Sequence, residues 1–246
     1  MISDKNSFDY SYLSKIYDTC MSSFWVNYAN LVSLFLSVEN KNVLDLGCGT
    51  GLAVQFLRCK SKQYVGVDLS SEMLAVAREK FPDHLFFEKS ILDLELSKEF
   101  DLVISAFDTI NHFINPADWK RVFEIASKHL SPTGFFIFDV VSIYDHEINW
   151  PDQVNFTESE EWIYFQRSGF NTKSKRALIK NTIFQKKETN WIRLEETIEQ
   201  ISLPTAIILN LLANTGLTCL KILDLETGQN ATETSATLFF VCKSSK

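Results

Sequence analysis

Four short, nearly unbroken apolar runs recur along the first two thirds of the chain: VLDL at 43–46, YVGV at 64–67, DLVISAF at 101–107 and FFIFDVV at 135–141. A strand with one wet face alternates apolar and polar residues, whereas a strand that is apolar at nearly every position must be covered on both faces. Segments of helical length separate the runs, as right-handed crossovers between parallel strands require. The sequence therefore predicts an α/β chain whose mostly parallel sheet lies between layers of helices.

Strands are expected at Asn42–Leu46, Tyr64–Asp68, Leu85–Glu88, Asp101–Phe107 and Phe135–Val141, the last entered from the turn Ser131-Pro132-Thr133-Gly134. Helices are expected at Phe24–Val38, Leu52–Cys59, Ser70–Phe81 with Ser70 as N-cap, and Pro116–His129. After Trp150-Pro151 the period changes to two. Three segments, VNFTESEEWIYFQRS, RALIKNTIFQKK and NWIRLEETIEQI, are separated by Gly169-Phe170-Asn171 and Glu188-Thr189-Asn190 and predict antiparallel strands. A helix at Pro204–Asn214, stopped by Gly216, and strands at Cys219–Leu225 and Ala236–Cys242 complete the pattern. The expected organisation is one domain over 1–246. It comprises an N-terminal helical arm or lid (1–40, with Phe8, Tyr10, Tyr12 and Tyr17), a core (41–149), an antiparallel insertion covering the sheet (150–200), and a final helix with two strands (201–246).

Composition narrows the partners. At 46% hydrophobic and 22% charged, the 246 residues are globular rather than disordered. A net charge of −7 disfavours nucleic acid, and the one dense basic run, Lys173 to Lys187, alternates with apolar residues as the wet face of a strand pair does. Five cysteines without a C-x-x-C pair suggest reduced thiols. Apolar segments fall short of the ~20 residues a membrane span needs, and the N-terminus lacks a basic start followed by an apolar stretch. A cytoplasmic protein, monomer or homodimer, with a small-molecule partner and no membrane or nucleic-acid partner, is the expectation.

The chemistry concentrates where the first strand turns into its helix, at Val43-Leu44-Asp45-Leu46-Gly47-Cys48-Gly49-Thr50-Gly51. Glycines there permit positive φ and close approach of a ligand to backbone N–H groups at a helix start. The spacing is G-x-G-x-G; a dinucleotide fingerprint would need glycine at position 52, which is Leu52. Asp45 before the turn suits a zwitterionic sulfonium better than a pyrophosphate. The next strand ends in Gly66-Val67-Asp68-Leu69-Ser70, which places a carboxylate where both ribose hydroxyls of an adenosine could be held.

DLGCGTG followed by GVDLS resembles motifs I and II of class I S-adenosylmethionine-dependent methyltransferases, over at least residues 42–142. The resemblance implies a Rossmann-like seven-stranded sheet of order 3-2-1-4-5-7-6 with the last strand antiparallel, and S-adenosylmethionine as cofactor, released as S-adenosylhomocysteine. It implies that Gly47, Gly49 and Gly51 shape the loop around the methionine moiety, with Cys48 a small loop residue. Asp45 would orient that loop and the amino group, and Asp68 would hold the ribose. Leu69 and Met73 would pack on the adenine. Ser90 stands where the family has an acid for the adenine amino group, with Asp93 as a substitute, and the Ile91 N–H would donate to the ring. Phe107 joins the cofactor-binding set.

The run Phe107-Asp108-Thr109-Ile110-Asn111-His112-Phe113 resembles the F-x-x-I-x-H-L segment of bacterial amino-sugar N,N-dimethyltransferases and glycine-type amine methyltransferases, and Ile16-Tyr17-Asp18 resembles their arm over the cofactor. The resemblance implies His112 as general base or orienting group, Tyr17 as positioner, and Asp108 or Asn111 as hydrogen-bond partner. His84, His129 and His146 are expected to be surface or packing residues. Trp150, Trp162, Tyr164 and Phe165 could line a pocket or join the core. The segment Glu195-Glu196-Thr197-Ile198-Glu199-Gln200 lacks the histidine or arginine those families carry on the third inserted strand. The leading expectation is N-methylation of a small amine, with O-methylation of a natural-product hydroxyl as alternative and a non-catalytic cofactor-binding module as the alternative of another class. No acidic cluster around strands four and five suggests a metal.

Overall fold

A computed structural model of the protein describes residues 10, 12–60 and 63–245. Phe8, part of the expected arm, lies outside the described residues.

The central sheet has seven strands in the order β10-β11-β5-β4-β1-β2-β3. The strands are β1 (Val43–Leu46), β2 (Tyr64–Asp68), β3 (Leu85–Glu88), β4 (Phe100–Ser105), β5 (Leu130–Val141), β10 (Leu217–Asp224) and β11 (Thr237–Ser244). β1 to β5 pair in parallel, and β11 runs antiparallel to both β5 and β10. The expected order 3-2-1-4-5-7-6 with an antiparallel last strand is therefore present. The helices are α1 (Tyr17–Ser33), α2 (Leu52–Phe56), α3 (Ser71–Lys80), α4 (Pro116–His129) and α5 (Thr205–Asn214).

Successive residues of the central strands point to opposite faces and feed two cores. Leu44, Leu46, Val103, Phe136 and Phe138 pack beneath α4 and α5. Val43, Leu102, Ile104 and Ile137 pack beneath α1, α2 and α3. Continuous apolar runs are thus explained by burial on both sides.

A second, antiparallel sheet contains β6 (Val154–Glu158), β7 (Trp162–Asn171), β8 (Arg176–Lys187) and β9 (Asn190–Gln200) in that order. Its inner face meets the arm, where Leu13 and Ile16 are buried against Tyr164 and Ile183. The basic run of β8 faces solvent and pairs with acids, Lys180 with Glu195 at 3.0 Å and Arg176 with Glu199.

Several boundaries differ from expectation. The first inserted segment is two strands, because Ser159 caps a tight turn by accepting the Glu161 and Trp162 amides. The next turn lies at 172–175, while Gly169, Phe170 and Asn171 remain in the ladder opposite Leu178, Ala177 and Arg176. There Asn171 Oδ1 accepts the Lys173 and Ser174 amides, and Lys175 takes φ 55°. The first helix begins at Tyr17 rather than Phe24, since its early turns bury side chains against the second sheet, which local periodicity does not register. The helix α2 stops early at the left-handed Arg58 (φ 54°), and β4 ends before Phe107 (φ 58°). β5 starts at Leu130, absorbing the turn residues 131–134 through a register shift against β4. β10 and β11 shift by one or two residues from the expected limits. A π-helical turn at Asp145–Asn149 was not expected.

Candidate active site

The glycine turn follows β1, and all three glycines need the left-handed region: Gly47 at φ 83°, Gly49 at 50° and Gly51 at 78°. The Gly47 and Cys48 amides donate to the Val67 carbonyl at 2.8 and 3.0 Å, folding the turn onto the end of β2. A Cβ on Gly47 would lie 2.4 Å from Thr109 of the next strand end, so that position has no room for a side chain. A Cβ on Gly49 would meet nothing within 4 Å; this residue faces open space. Asp68 ends β2 and is half-buried. One of its oxygens accepts the Gly49 N–H at 2.8 Å and the other the Ser70 N–H at 2.9 Å. Each carboxylate oxygen has a second lone pair, so Asp68 can brace the loop and still accept from a ligand.

These elements surround an open-mouthed cavity. Of the residues expected to bind a cofactor, Gly47, Cys48, Gly49, Asp68, Leu69, Met73, Ile91 and Phe107 line it. Tyr17 and His112 line it as well. The arm contributes Tyr10 and Trp25, and Thr50, Lys89 and Thr109 add polar groups from three loops.

Other expected residues take structural roles. Asp45 is 1% exposed and does not line the cavity; the Tyr64 hydroxyl donates to it at 2.7 Å. Burial pushes its carboxyl up to about 7 despite that hydrogen bond. Gly51 is also outside the lining, packed near Phe81 and Phe86. The Ser90 hydroxyl accepts the Leu92 amide at 3.2 Å and caps the turn Ile91–Asp93, and Asp93 is exposed; neither reaches the cavity, where Lys89 and Ile91 stand instead. Asn111 is fully buried and its amide is consumed by backbone: it donates to the Val141 and Ile201 carbonyls at 3.1 and 2.8 Å and accepts the Val141 amide at 3.0 Å. It fastens strand ends together rather than partnering His112. Trp150, Trp162, Tyr164 and Phe165 do not line the cavity. Trp150 bonds Asp145 at 2.8 Å, and Tyr164 is buried against the arm.

His112 is 8% exposed, and burial lowers its imidazole to about 4, so it is neutral at physiological pH. Its Nε2 lies 3.0 Å from the Tyr10 hydroxyl, 3.3 Å from Gln200 Nε2 and 3.9 Å from Asp108 Oδ2. Gln200 Nε2 also donates to Asp108. Burial and the neighbouring Asp139 raise the Asp108 carboxyl to about 7. His146, expected only to pack, closes the group: it is 1% exposed, with Nε2 3.3 Å from Gln200 Oε1 and Nδ1 2.8 Å from the Ser202 hydroxyl.

One further contributor, Asp139, escaped sequence reasoning, and the expected arm residue Asp18 finds a specific partner. Asp139 of β5 accepts the amides of Phe107 and Asp108 at 2.7 and 2.9 Å, the two adjacent non-glycine residues at positive φ. The available signal was a single acid inside the apolar run FFIFDVV. Asp18 at the start of α1 accepts the Thr50 hydroxyl of the glycine loop and pairs with Lys80 of α3, whose ammonium also donates to the Thr50 carbonyl at 3.0 Å. This contact joins the arm to the glycine loop.

Among the described residues, no group of three metal-ligating side chains occurs and no helix is long and apolar enough to cross a membrane.

Residues 43–134 match the family described as a methyltransferase domain. YqeM of Bacillus subtilis (strain 168), which carries a provisional methyltransferase name, is 27% identical over 212 residues, 85% of this chain and 86% of that one. The dTDP-3-amino-3,6-dideoxy-alpha-D-glucopyranose N,N-dimethyltransferase of Streptomyces fradiae is 29% identical over 103 residues, 42% of this chain and 40% of that one. A solved S-adenosylmethionine-dependent methyltransferase from Clostridium acetobutylicum ATCC 824 superposes with a TM-score of 0.82 at 23% identity, covering 96% of this chain and 99% of that one. The sugar N-methyltransferase KedS8 from Streptoalloteichus sp ATCC 53650 superposes at 0.73 with 20% identity, over 94% and 90% of the two chains. Residues 43–134 thus match a methyltransferase domain, the fold is that of a solved S-adenosylmethionine-dependent methyltransferase, and the chain resembles the amino-sugar N-methyltransferases.

Proposed function

We propose that the cavity takes S-adenosylmethionine along the Gly47–Thr50 loop and Asp68, and that the methyl acceptor is an amine nitrogen of a small metabolite presented at the His112 end. The observation that carries the reading is the Asp68 bridge to Gly49. It leaves acceptor capacity beside a glycine whose missing side chain opens onto the cavity. The residues fit the cofactor: a carboxylate for ribose hydroxyls, apolar Leu69, Met73 and Ile91 for a flat base, and loop amides for the amino-acid end.

The cofactor, when bound, supplies a methyl group already activated on a sulfonium. The protein's work is alignment, exclusion of water and management of one proton. Tyr10, Tyr17 and Trp25 of the arm line the cavity, where they would shield bound cofactor from water. His112 Nε2, neutral and unable to hold a resting proton at pH 7, suits an acceptor of the N–H of a neutral amine that takes the place of the Tyr10 hydroxyl there. The Asp108 carboxylate 3.9 Å behind it favours positive charge as it develops there. Asp108, raised to about 7, is the better-matched group to keep a proton transiently. The same carboxylate supports attraction of an amine over a phenolate or an acid. Sugar N-methyltransferases among the relatives and structural neighbours support the amine class.

Calorimetry with S-adenosylmethionine and S-adenosylhomocysteine, followed by a labelled-methyl assay over amines, amino sugars, phenols and acids, tests this. Asp68→Ala should weaken cofactor binding by about 1–3 kcal/mol, because it strands hydrogen-bonding groups. His112→Ala should leave cofactor affinity near wild type and lower turnover about 10²-fold. Unchanged affinity in the first variant overturns the cofactor assignment; methyl found only on oxygen overturns the amine assignment.

A further inference from the structure

We propose that Gln200 is the positioning residue for His112, holding its Nε2 as a hydrogen-bond acceptor toward the arm and tying it to His146. The proposal rests on the reading of His112 given above but concerns proton placement, which is measurable without turnover.

The argument starts from the completely buried amide of Gln200 on the last residue of β9. Its nitrogen sits on the Asp108 carboxyl, and once Asp108 is ionised an amide oxygen there would face a carboxylate oxygen with no hydrogen between them. Asp108 thereby fixes which way the amide points. The second amide hydrogen is then available to His112 Nε2 at 3.3 Å, and the Tyr10 hydroxyl at 3.0 Å is the other donor to the same atom. Burial keeps the Tyr10 hydroxyl protonated, consistent with donation. Two donors converging on Nε2 require it to carry the lone pair, which puts the His112 proton on Nδ1.

The other end of the amide is equally constrained. Gln200 Oε1 faces His146 Nε2 at 3.3 Å, and an oxygen acceptor requires a proton on that nitrogen. His146 Nδ1 lies 2.8 Å from the oxygen of the Ser202 hydroxyl, which donates to the Val141 carbonyl at 2.6 Å. One carboxylate, read through one amide, sets opposite tautomers on two histidines. Its place at the junction of the second sheet with the Thr109–His112 turn lets the insertion reach the His112 end of the cavity.

The test uses full-length protein with ¹⁵N-labelled histidine and long-range ¹H–¹⁵N correlation spectra, which distinguish Nδ1–H from Nε2–H imidazoles. The four histidines are assigned by single substitution. At about pH 8.5, where Asp108 is ionised, the wild type should show His112 as Nδ1–H and His146 as Nε2–H. Gln200→Leu should release both, giving mixed tautomers. Gln200→Glu removes the donor to His112 but keeps an oxygen toward His146, so only the His112 signal should change. Binding of S-adenosylhomocysteine should change less than twofold in both variants. His112 found as Nε2–H or as imidazolium in the wild type overturns the proposal, as does an unchanged His112 signal in either folded variant. If Gln200→Leu fails to fold, the wild-type and Gln200→Glu spectra decide. Failure of the amine reading would appear instead in the labelled-methyl assay, with these tautomers intact.

Discussion

The amide of Phe107 donates to Asp139 Oδ1 at 2.7 Å while the Phe107 backbone stands at φ 58°. A bulky residue in the left-handed region costs about 1–2 kcal/mol, and Asp108 beside it adds a second such residue at φ 50°. The two hydrogen bonds to a buried carboxylate offset that cost and turn the chain sharply out of β4. The turn aims the Phe107 ring at Trp25 and Tyr28, with centroids 5.0 and 6.2 Å away, and starts the segment that carries His112.

Asp139→Asn keeps one acceptor and opposes the second amide with an N–H₂ group. Stability should fall by about 1–3 kcal/mol, the cost of a stranded buried donor, which lowers the thermal midpoint by several degrees at roughly 2–4 °C per kcal/mol. Scanning calorimetry reads this directly. A midpoint equal to wild type would mean that the turn is held by its side-chain packing instead.

Gly66 and Cys48 test how tightly the two motifs are packed. A Cβ on Gly66 would lie 2.7 Å from Cys48 Sγ and 2.9 Å from the Phe86 ring, closer than side chains tolerate. Gly66→Ala should destabilise by about 1–3 kcal/mol through overpacking. Adding Cys48→Ala should recover part of the loss, because it removes the nearest obstacle, Sγ, and leaves the Cys48 Cβ position at 3.0 Å and the Phe86 ring; strict additivity in a denaturant-melt double cycle would contradict this contact.

Asp45 gives the pH dependence of folding a definite sign. Its carboxyl is pushed from 3.8 to about 7 in the folded state, chiefly by burial. Between those two values the folded protein binds a proton that the unfolded chain releases, so this residue's contribution is full below pH ~4 and is lost as pH rises toward about 7. Asp45→Asn abolishes that dependence. Across pH 5–8 the variant-minus-wild-type difference in unfolding free energy should therefore rise with pH. A difference that is flat or falls with pH would show that Asp45 is ionised throughout.

Lys80, Asp18 and Thr50 link the arm to the glycine loop, although the ion pair is partly exposed, with side-chain exposures of 24% and 35%. Such a pair contributes at most about 1 kcal/mol. Lys80→Ala should accelerate dissociation of S-adenosylhomocysteine several-fold and expose the arm to limited proteolysis near its Tyr17 end. Stopped-flow dissociation and timed trypsin digestion check the two effects. Wild-type rates in both would show that the arm is held by Leu13 and Ile16 alone.

How much of this was legible beforehand depends on how local the signal is. The strands β1, β2 and β3, the N-cap Ser70 and the glycine turn follow from residues within a few positions of one another, and they fall where expected. Asp68 was readable because motif spacing fixes its place at a strand end. Asn111 and Ser90 bond nearby backbone, which sequence does not foretell, because a polar side chain near a site serves the ligand or the backbone equally well in sequence and only the surrounding carbonyls and amides decide. Gln200 and His146 gave no signal at all: they stand 88 and 34 residues from His112 and meet it only through the junction of the two sheets.

The sequence by itself determined the sheet's buried parallel core, its crossovers and the ligand-facing turn, because apolar period and glycine conformational freedom act over one element at a time. Only the tertiary structure decided the hydrogen-bond partners at the His112 end of the cavity. It brought Cys219 opposite Cys242 across the β10–β11 ladder, Asp139 beneath Phe107, and Tyr10 and Gln200 onto one imidazole nitrogen. The reason is physical: a buried polar atom must find a partner, and which partner is within 3 Å is set by how distant strands and the arm converge, not by neighbours in the chain.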